Sequence, residues 1–178
     1  MRLKVEITFT IPQSYFDEPR STYNYLFGTE TTGAFFNIGW LYNGSNIMGN
    51  VYTVLTNADG SKNNLQKTGA IKTAGTYTIT LDATGALLDG ERITTNTAPL
   101  YEGEGRLDLF LMGINASPAS QYCALQIKEC KIWSDYQNEN SLIADYVPVR
   151  KKDGTICMYN EVADTYLMTT DGQEPLFG

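Results

Sequence analysis

The chain has 178 residues, 42% of them hydrophobic and 19% charged, and 20 acidic residues against 13 basic ones give a net charge of −7. That is enough apolar material for a core, so disorder is excluded as a description of the whole chain, and the acidic balance disfavours a grip on phosphate backbones, so no nucleic acid partner is expected. Histidine is absent, which removes His-activated nucleophiles, His general bases and most zinc sites.

Leu3, Val5, Ile7, Phe9 and Ile11 alternate with Arg2, Lys4, Glu6, Thr8 and Thr10. This period of two predicts a strand with one dry and one wet face, ended by Pro12. The same opening leaves no room for a signal peptide in the chain as given. No apolar run approaches the ~20 residues of a membrane-spanning helix, so no membrane insertion is expected. Residues 13–24 are mostly polar and read as a loop. Tyr25–Gly28 and Phe35–Tyr42 read as strands, followed by the hairpin dipeptide Asn43-Gly44. Val51–Leu55 runs into the turn Asn57-Ala58-Asp59-Gly60.

Tyr77, Ile79 and Leu81 alternate with Thr78 and Thr80, which predicts a strand with the threonines on its wet face. Ala86–Leu88 turns at Asp89-Gly90 into Glu91–Ile93. Leu107–Met112 is a near-continuous apolar run and predicts a central strand. Along Ala124–Trp133 the apolar phase slips from Leu125 and Ile127 to Cys130 and Ile132. A β-bulge at Lys128-Glu129 accounts for the slip. Tyr146–Val149, Ile156–Tyr159 and Thr165–Met168 read as short strands, with Asp153-Gly154 and Asp171-Gly172 as turns. No segment carries a 3.6-residue apolar stripe. Repeated turn dipeptides predict an antiparallel sandwich or barrel. With no linker or repeat to divide it, residues 1–178 are expected to form one domain. Its core should hold Leu3, Val5, Ile7, Phe9, Tyr77, Ile79, Leu81, Leu109, Leu111, Ile127 and Ile132.

Of the three cysteines, Cys123 and Cys130 lie about 23 Å apart along one extended segment and cannot bridge. A Cys130–Cys157 bridge is open if their strands are neighbours; three buried thiols is the preferred reading.

The C-terminal third carries a more specific signal. Ala124-Leu125-Gln126-Ile127-Lys128-Glu129-Cys130-Lys131-Ile132-Trp133 is followed by Leu142-Ile143-Ala144-Asp145-Tyr146-Val147-Pro148-Val149-Arg150, then Asp153-Gly154 and Cys157-Met158-Tyr159-Asn160. This block resembles the concanavalin A-like lectin/glucanase superfamily, in the LamG-like branch found in phage tail and virion proteins and in gut bacterial surface proteins. The resemblance implies an all-β, antiparallel jelly-roll sandwich. It departs from the family in lacking the usual opening strand and in having Ser134 where the family has Asp, with Asp135 one position later. Because Leu3–Ile11 still needs a sheet, the missing strand predicts an open edge if it normally lies beside this strand or beside its neighbour. That edge is covered either by a partner or by the chain's own C-terminal residues, Thr165–Met168 or Leu176-Phe177.

The fold implied by the resemblance hosts both enzymes and binding modules. Glycosidases of this fold carry a closely spaced acidic triplet; Glu102-Gly103-Glu104 supplies only two members, flanked by Tyr101 and Gly105, and reads as solvated loop charge. No catalytic residue is therefore expected. Asn57–Asn63 is rich in oxygen but has its glycine misplaced for an EF-hand and contains Lys62, so it reads as a hairpin turn. No cofactor or metal is predicted, although carboxylates to spare leave calcium open. Arg150-Lys151-Lys152 reads as a solvated turn, and the sequons Asn43-Gly44-Ser45 and Asn115-Ala116-Ser117 as chance turns.

Glycan binding uses exposed aromatic rings with amide neighbours. Tyr42, Asn43, Asn46, Tyr52, Tyr101 and Tyr136 stand at strand ends with that composition. Trp40 and Trp133 sit within strand patterns and are expected in the core. The leading expectation is a non-catalytic module of a phage virion, assembled in the host cytoplasm. It would dock on other virion proteins or on copies of itself and contact host glycans. The alternative is a bacterial surface or secreted carbohydrate-binding protein; a glycoside hydrolase is a distant third.

Overall fold

The computed structural model describes residues 3–17, 23–31, 34–42, 49–101, 110–111 and 125–167. Its strands, in chain order, are β1 (Lys4–Ile11), β2 (Tyr23–Thr31), β3 (Ala34–Tyr42), β4 (Gly49–Thr56), β5 (Lys62–Ile71), β6 (Gly75–Asp82), β7 (Gly85–Leu88), β8 (Glu91–Arg92), β9 (Phe110–Leu111), β10 (Gln126–Trp133), β11 (Leu142–Arg150), β12 (Ile156–Asn160) and β13 (Thr165–Leu167). One helical turn, α1 (Ser14–Asp17), follows β1. The strands form two antiparallel sheets. Sheet A has eight strands in the order β13-β12-β11-β10-β1-β6-β7-β8, and sheet B has five in the order β5-β4-β3-β2-β9.

The alternation in β1 does what it predicts. Val5, Ile7, Phe9 and Ile11 are buried, while Lys4, Glu6, Thr8 and Thr10 share the other face. Ile7 lies opposite Ile79 of β6 and Cys130 of β10. On the outer face the Thr8 and Thr78 hydroxyls are 3.0 Å apart, and those of Thr10 and Thr76 2.9 Å apart. These threonine pairs satisfy their own hydroxyls while the core side stays dry. One hydrophobic cluster joins these residues to Leu26, Phe27, Val51, Leu55 and Ile71 of sheet B. The two sheets thus face each other across a shared core. Ile127 is buried as well, and Leu3, Tyr77 and Ile132 are partly buried against the cluster. Leu109 and the side chain of Leu111 lie outside the described residues.

The bulge is present. Thr8 pairs with Glu129 and Phe9 with Ile127, so Lys128 is the extra residue, and the phase change keeps both Ile127 and Cys130 buried. The Asp89-Gly90 turn has both residues at positive φ (49° and 82°), the conformation its sequence favours.

Several expectations are corrected. β1 is not an edge: β10 and β6 flank it on both sides, and β13 pairs with β12 at the far margin of sheet A. Neither a partner nor the C-terminal residues are needed to cover it. Among the described residues β9 lies at one end of sheet B, beside β2, rather than at its centre. β5 was not foreseen, because its residues lack apolar alternation. Residues 14–17 form a helical turn that buries Tyr15 and Phe16, within the stretch read as loop. Cys130 and Cys157 are free and buried, separated by β11, so no bridge joins them. Cys123 lies outside the described residues. Trp133 is buried, but it pairs with Lys4 on the outer face of sheet A rather than in the shared core.

Candidate functional site

Three of the candidate tyrosines map onto one strand. Tyr42 ends β3 opposite Gly49, Tyr52 lies within β4, and the Tyr101 N–H donates to the Thr56 carbonyl at 2.9 Å. At ~3.3 Å per residue, these positions spread along about 23 Å of β4. The stretch Pro99–Tyr101 reaches the end of β4 through an Asn57–Leu100 bridge and an Ala58 N–H to Pro99 carbonyl bond of 2.8 Å.

Tyr52 occupies the outward row of β4. Val51 and Leu55 belong to the shared core, and side chains alternate along a strand, so Tyr52 takes the opposite face. Its cross-strand neighbours are Gly39 of β3 and Gln66 of β5. Gly39 brings no side chain to that flank, and Gln66 is exposed, so the half-buried Tyr52 has an exposed amide as its cross-strand neighbour. Asn64 follows two residues from Gln66, opposite Val54. Asn50, in the same outward row, is buried, and its Oδ1 accepts from the Gly69 N–H at 2.7 Å. This amide holds the irregular end of β5 rather than facing a ligand.

Tyr136 is elsewhere, in the turn between β10 and β11 of sheet A. Its Oη accepts from Gln137 Nε2 at 3.2 Å. Ser141 Oγ ties that turn by donating to the Asp135 carbonyl at 2.8 Å, and Asn138 Oδ1 accepts from the Asn140 N–H at 3.0 Å. The structure therefore groups Tyr42, Tyr52 and Tyr101 along β4 and leaves Tyr136 apart. Asn43, Asn46, Glu102, Glu104 and Asn115 lie outside the described residues.

Asn57–Ser61 is a closed turn. Asp59 Oδ1 accepts from the Ser61 N–H (2.9 Å) and Oγ (2.6 Å), and these bonds hold the Asp59 carboxyl below its ordinary range. Asn57 Nδ2 donates to Ser61 Oγ at 2.9 Å. Asp59, Ser61 and the Asn57 Nδ2 bond one another, as in an Asx turn, while Asn57 Oδ1 is buried without a partner among the described residues. Among the described residues no group of three Cys, Asp or Glu side chains is arranged to hold a metal ion.

Three polar clusters on sheet A escaped the sequence reading. Lys4 Nζ sits 3.8 Å above the Trp133 ring and 2.7 Å from Glu139 Oε1. Lys131 Nζ lies 2.7 Å from Glu129 Oε1 and 3.8 Å from Asp145 Oδ2, and the Glu129 bond raises its pKa. A lysine between two carboxylates makes an ion-pair network, not an acid–base pair. At the margin of the sheet the Tyr159 and Tyr166 rings are 5.2 Å apart, with Lys151 Nζ 4.1 Å above Tyr166. Each cluster joins residues far apart in sequence or across strands, so only the alternation of polar residues could have hinted at them.

No family model, curated protein or solved structure matches this chain. Among the described residues no helix is long and apolar enough to cross a membrane.

Proposed function

We propose that this chain is a non-catalytic concanavalin A-like jelly-roll module of a virion, which docks on other virion proteins and contacts host glycans through the outward face of sheet B at Tyr52. The observation that carries the glycan half is the cross-strand row Gly39–Tyr52–Gln66. A half-buried ring beside an exposed amide offers stacking to a sugar's apolar face and hydrogen bonds to its hydroxyls. The jelly-roll half draws support from two features. The chain passes between the two sheets after β1, β5, β8 and β9. The C-terminal block that resembles the family makes up β10, β11 and β12, neighbouring strands of sheet A.

A glycan array with the intact protein and with Tyr52→Ala tests the reading. The protein should retain a defined set of glycans, and Tyr52→Ala should weaken them about tenfold, the equivalent of ~1.4 kcal/mol, with its melting curve preserved. Failure of the intact protein to bind any glycan, or equal binding by the variant, defeats the glycan contact. Release of reducing sugar from a bound glycan defeats the non-catalytic assignment.

A further inference from the structure

The outward face of sheet B carries a second exposed amide beside Gln66. Leu65 pairs with Thr53 and packs against the core, so its neighbours Asn64 and Gln66 lie on the outer face with Tyr52. Both are exposed. Gln66 stands opposite Tyr52 and Asn64 opposite Val54. On β4 the outward residues on either side of Tyr52 are buried: Val54 is 7% exposed, and Asn50 is held by the Gly69 N–H. The stacking surface of β4 in this row is thus confined to Tyr52, while exposed amides continue past it along β5.

The spacing and the chemistry of the two amides define what they can hold. Residues two apart on one face of a strand are about 6.6 Å apart. That exceeds the gap between neighbouring hydroxyls of one sugar ring and suits the step from one ring to the next. A side-chain amide carries N–H donors beside a C=O acceptor, which matches two neighbouring hydroxyls, one accepting and one donating. It brings no charge to balance a carboxylate or a sulfate. The lysines of β5 do not supply that charge. Lys67 is opposite the core residue Val51 and so belongs to the other face, and Lys62, beyond Asn64 on the outer face, already interacts within the chain.

We propose that the Tyr52 face has two adjoining subsites along β5 and takes an uncharged glycan of at least two sugar residues. The first sugar stacks on Tyr52 and bonds Gln66 through neighbouring hydroxyls. The second is held by Asn64 through hydrogen bonds alone, because Val54 is too buried to offer a stacking surface. Asn50 is spent on Gly69, so the second sugar lies on the Asn64 side. This inference rests on the glycan contact proposed above, and its test separates the two.

The test titrates the intact, isotope-labelled protein with glucose, galactose, mannose and N-acetylglucosamine, with cellobiose, galactobiose, mannobiose and chitobiose, and with digalacturonic acid. The side-chain amide NMR signals of Gln66 and Asn64 are followed. At least one uncharged disaccharide should bind about tenfold more tightly than its monosaccharide and shift both amides, and digalacturonic acid should bind more weakly than that disaccharide. Asn64→Ala should remove most of the gain from the second sugar, and Gln66→Ala should weaken monosaccharide and disaccharide alike, about tenfold. Three results overturn the two-subsite inference and leave the Tyr52 contact standing: a monosaccharide that binds as tightly as its disaccharide, a gain that survives Asn64→Ala, or tighter binding of digalacturonic acid. Failure of every sugar to shift either amide overturns the inference outright, and the glycan array then decides whether the Tyr52 contact falls with it.

Discussion

Lys4 points to the wet side of β1, yet its side chain is only 12% exposed, while that of its partner Glu139 is 76% exposed. Its stem and ammonium cover the indole of Trp133, so its value lies in a cation–π contact and in shielding more than in the ion pair. Lys4→Ala should cost about 1 kcal/mol in chemical denaturation and should shift the Trp133 emission to the red, whereas Glu139→Gln should change both little. Burial acts differently on Cys130: it pushes the thiol pKa far above its ordinary value, and nearby Asp145 and Glu129 add to the rise. Such a thiol is unreactive while the fold holds. Alkylation mapped by mass should spare Cys130 and Cys157 in the native protein and label both in urea. Ile79 is fully buried between Ile7 and Leu88. Ile79→Asp should abolish the cooperative unfolding transition, since an unpaired buried carboxylate costs several kcal/mol, comparable to the ~5–15 kcal/mol of a whole domain.

At the scale of elements, hairpins depend on their tightest residue. Gly85 opens β7 at φ 119°, and a Cβ there would run into the Thr94 carbonyl. Gly85→Ala should therefore cost more than about 1 kcal/mol in thermal or urea melts, while Gly90→Ala, with open space around it, meets only the backbone strain of φ 82°. β13 is tied to β12 by Tyr159, whose hydroxyl donates to Asp164 Oδ1 at 2.7 Å. That bond, with Asp164's charge, raises the Tyr159 pKa above its ordinary 10.0. The protonated phenol is the bonded form, so its contribution is whole below pH 10 and is lost as pH rises through the folded value. The Tyr159 ring signals in NMR should titrate above pH 10, and Asp164→Asn should bring that transition down. The elements that the sequence made legible are those with one dry and one wet face. β1 and β6 alternate cleanly, and the phase slip in β10 marked its bulge at Lys128. β5 was illegible because Lys-Asn-Asn-Leu-Gln-Lys at the margin of a sheet buries little. Propensity and pattern have no signal where packing is absent.

For the whole molecule, the site was less legible than the fold. Tyr52 could be picked out by type, but Gly39 and Gln66 reach it through strand register, which no local pattern encodes. The open edge was expected from a missing strand near Leu3–Ile11, but β10 and β6 flank that strand on both sides. The same topology has a consequence in time. β1 is made before its partners, β6 at residues 75–82 and β10 at residues 126–133. At ~5–20 residues per second, the ribosome needs on the order of 10 s to go from Ile11 to Trp133. Throughout that interval four apolar side chains of β1 have no second flank to lie against. Long-range pairings of this kind also slow refolding from denaturant. Nascent chains arrested before β10 should be cut by protease within β1 and should recruit chaperones, and release of the full chain should abolish both.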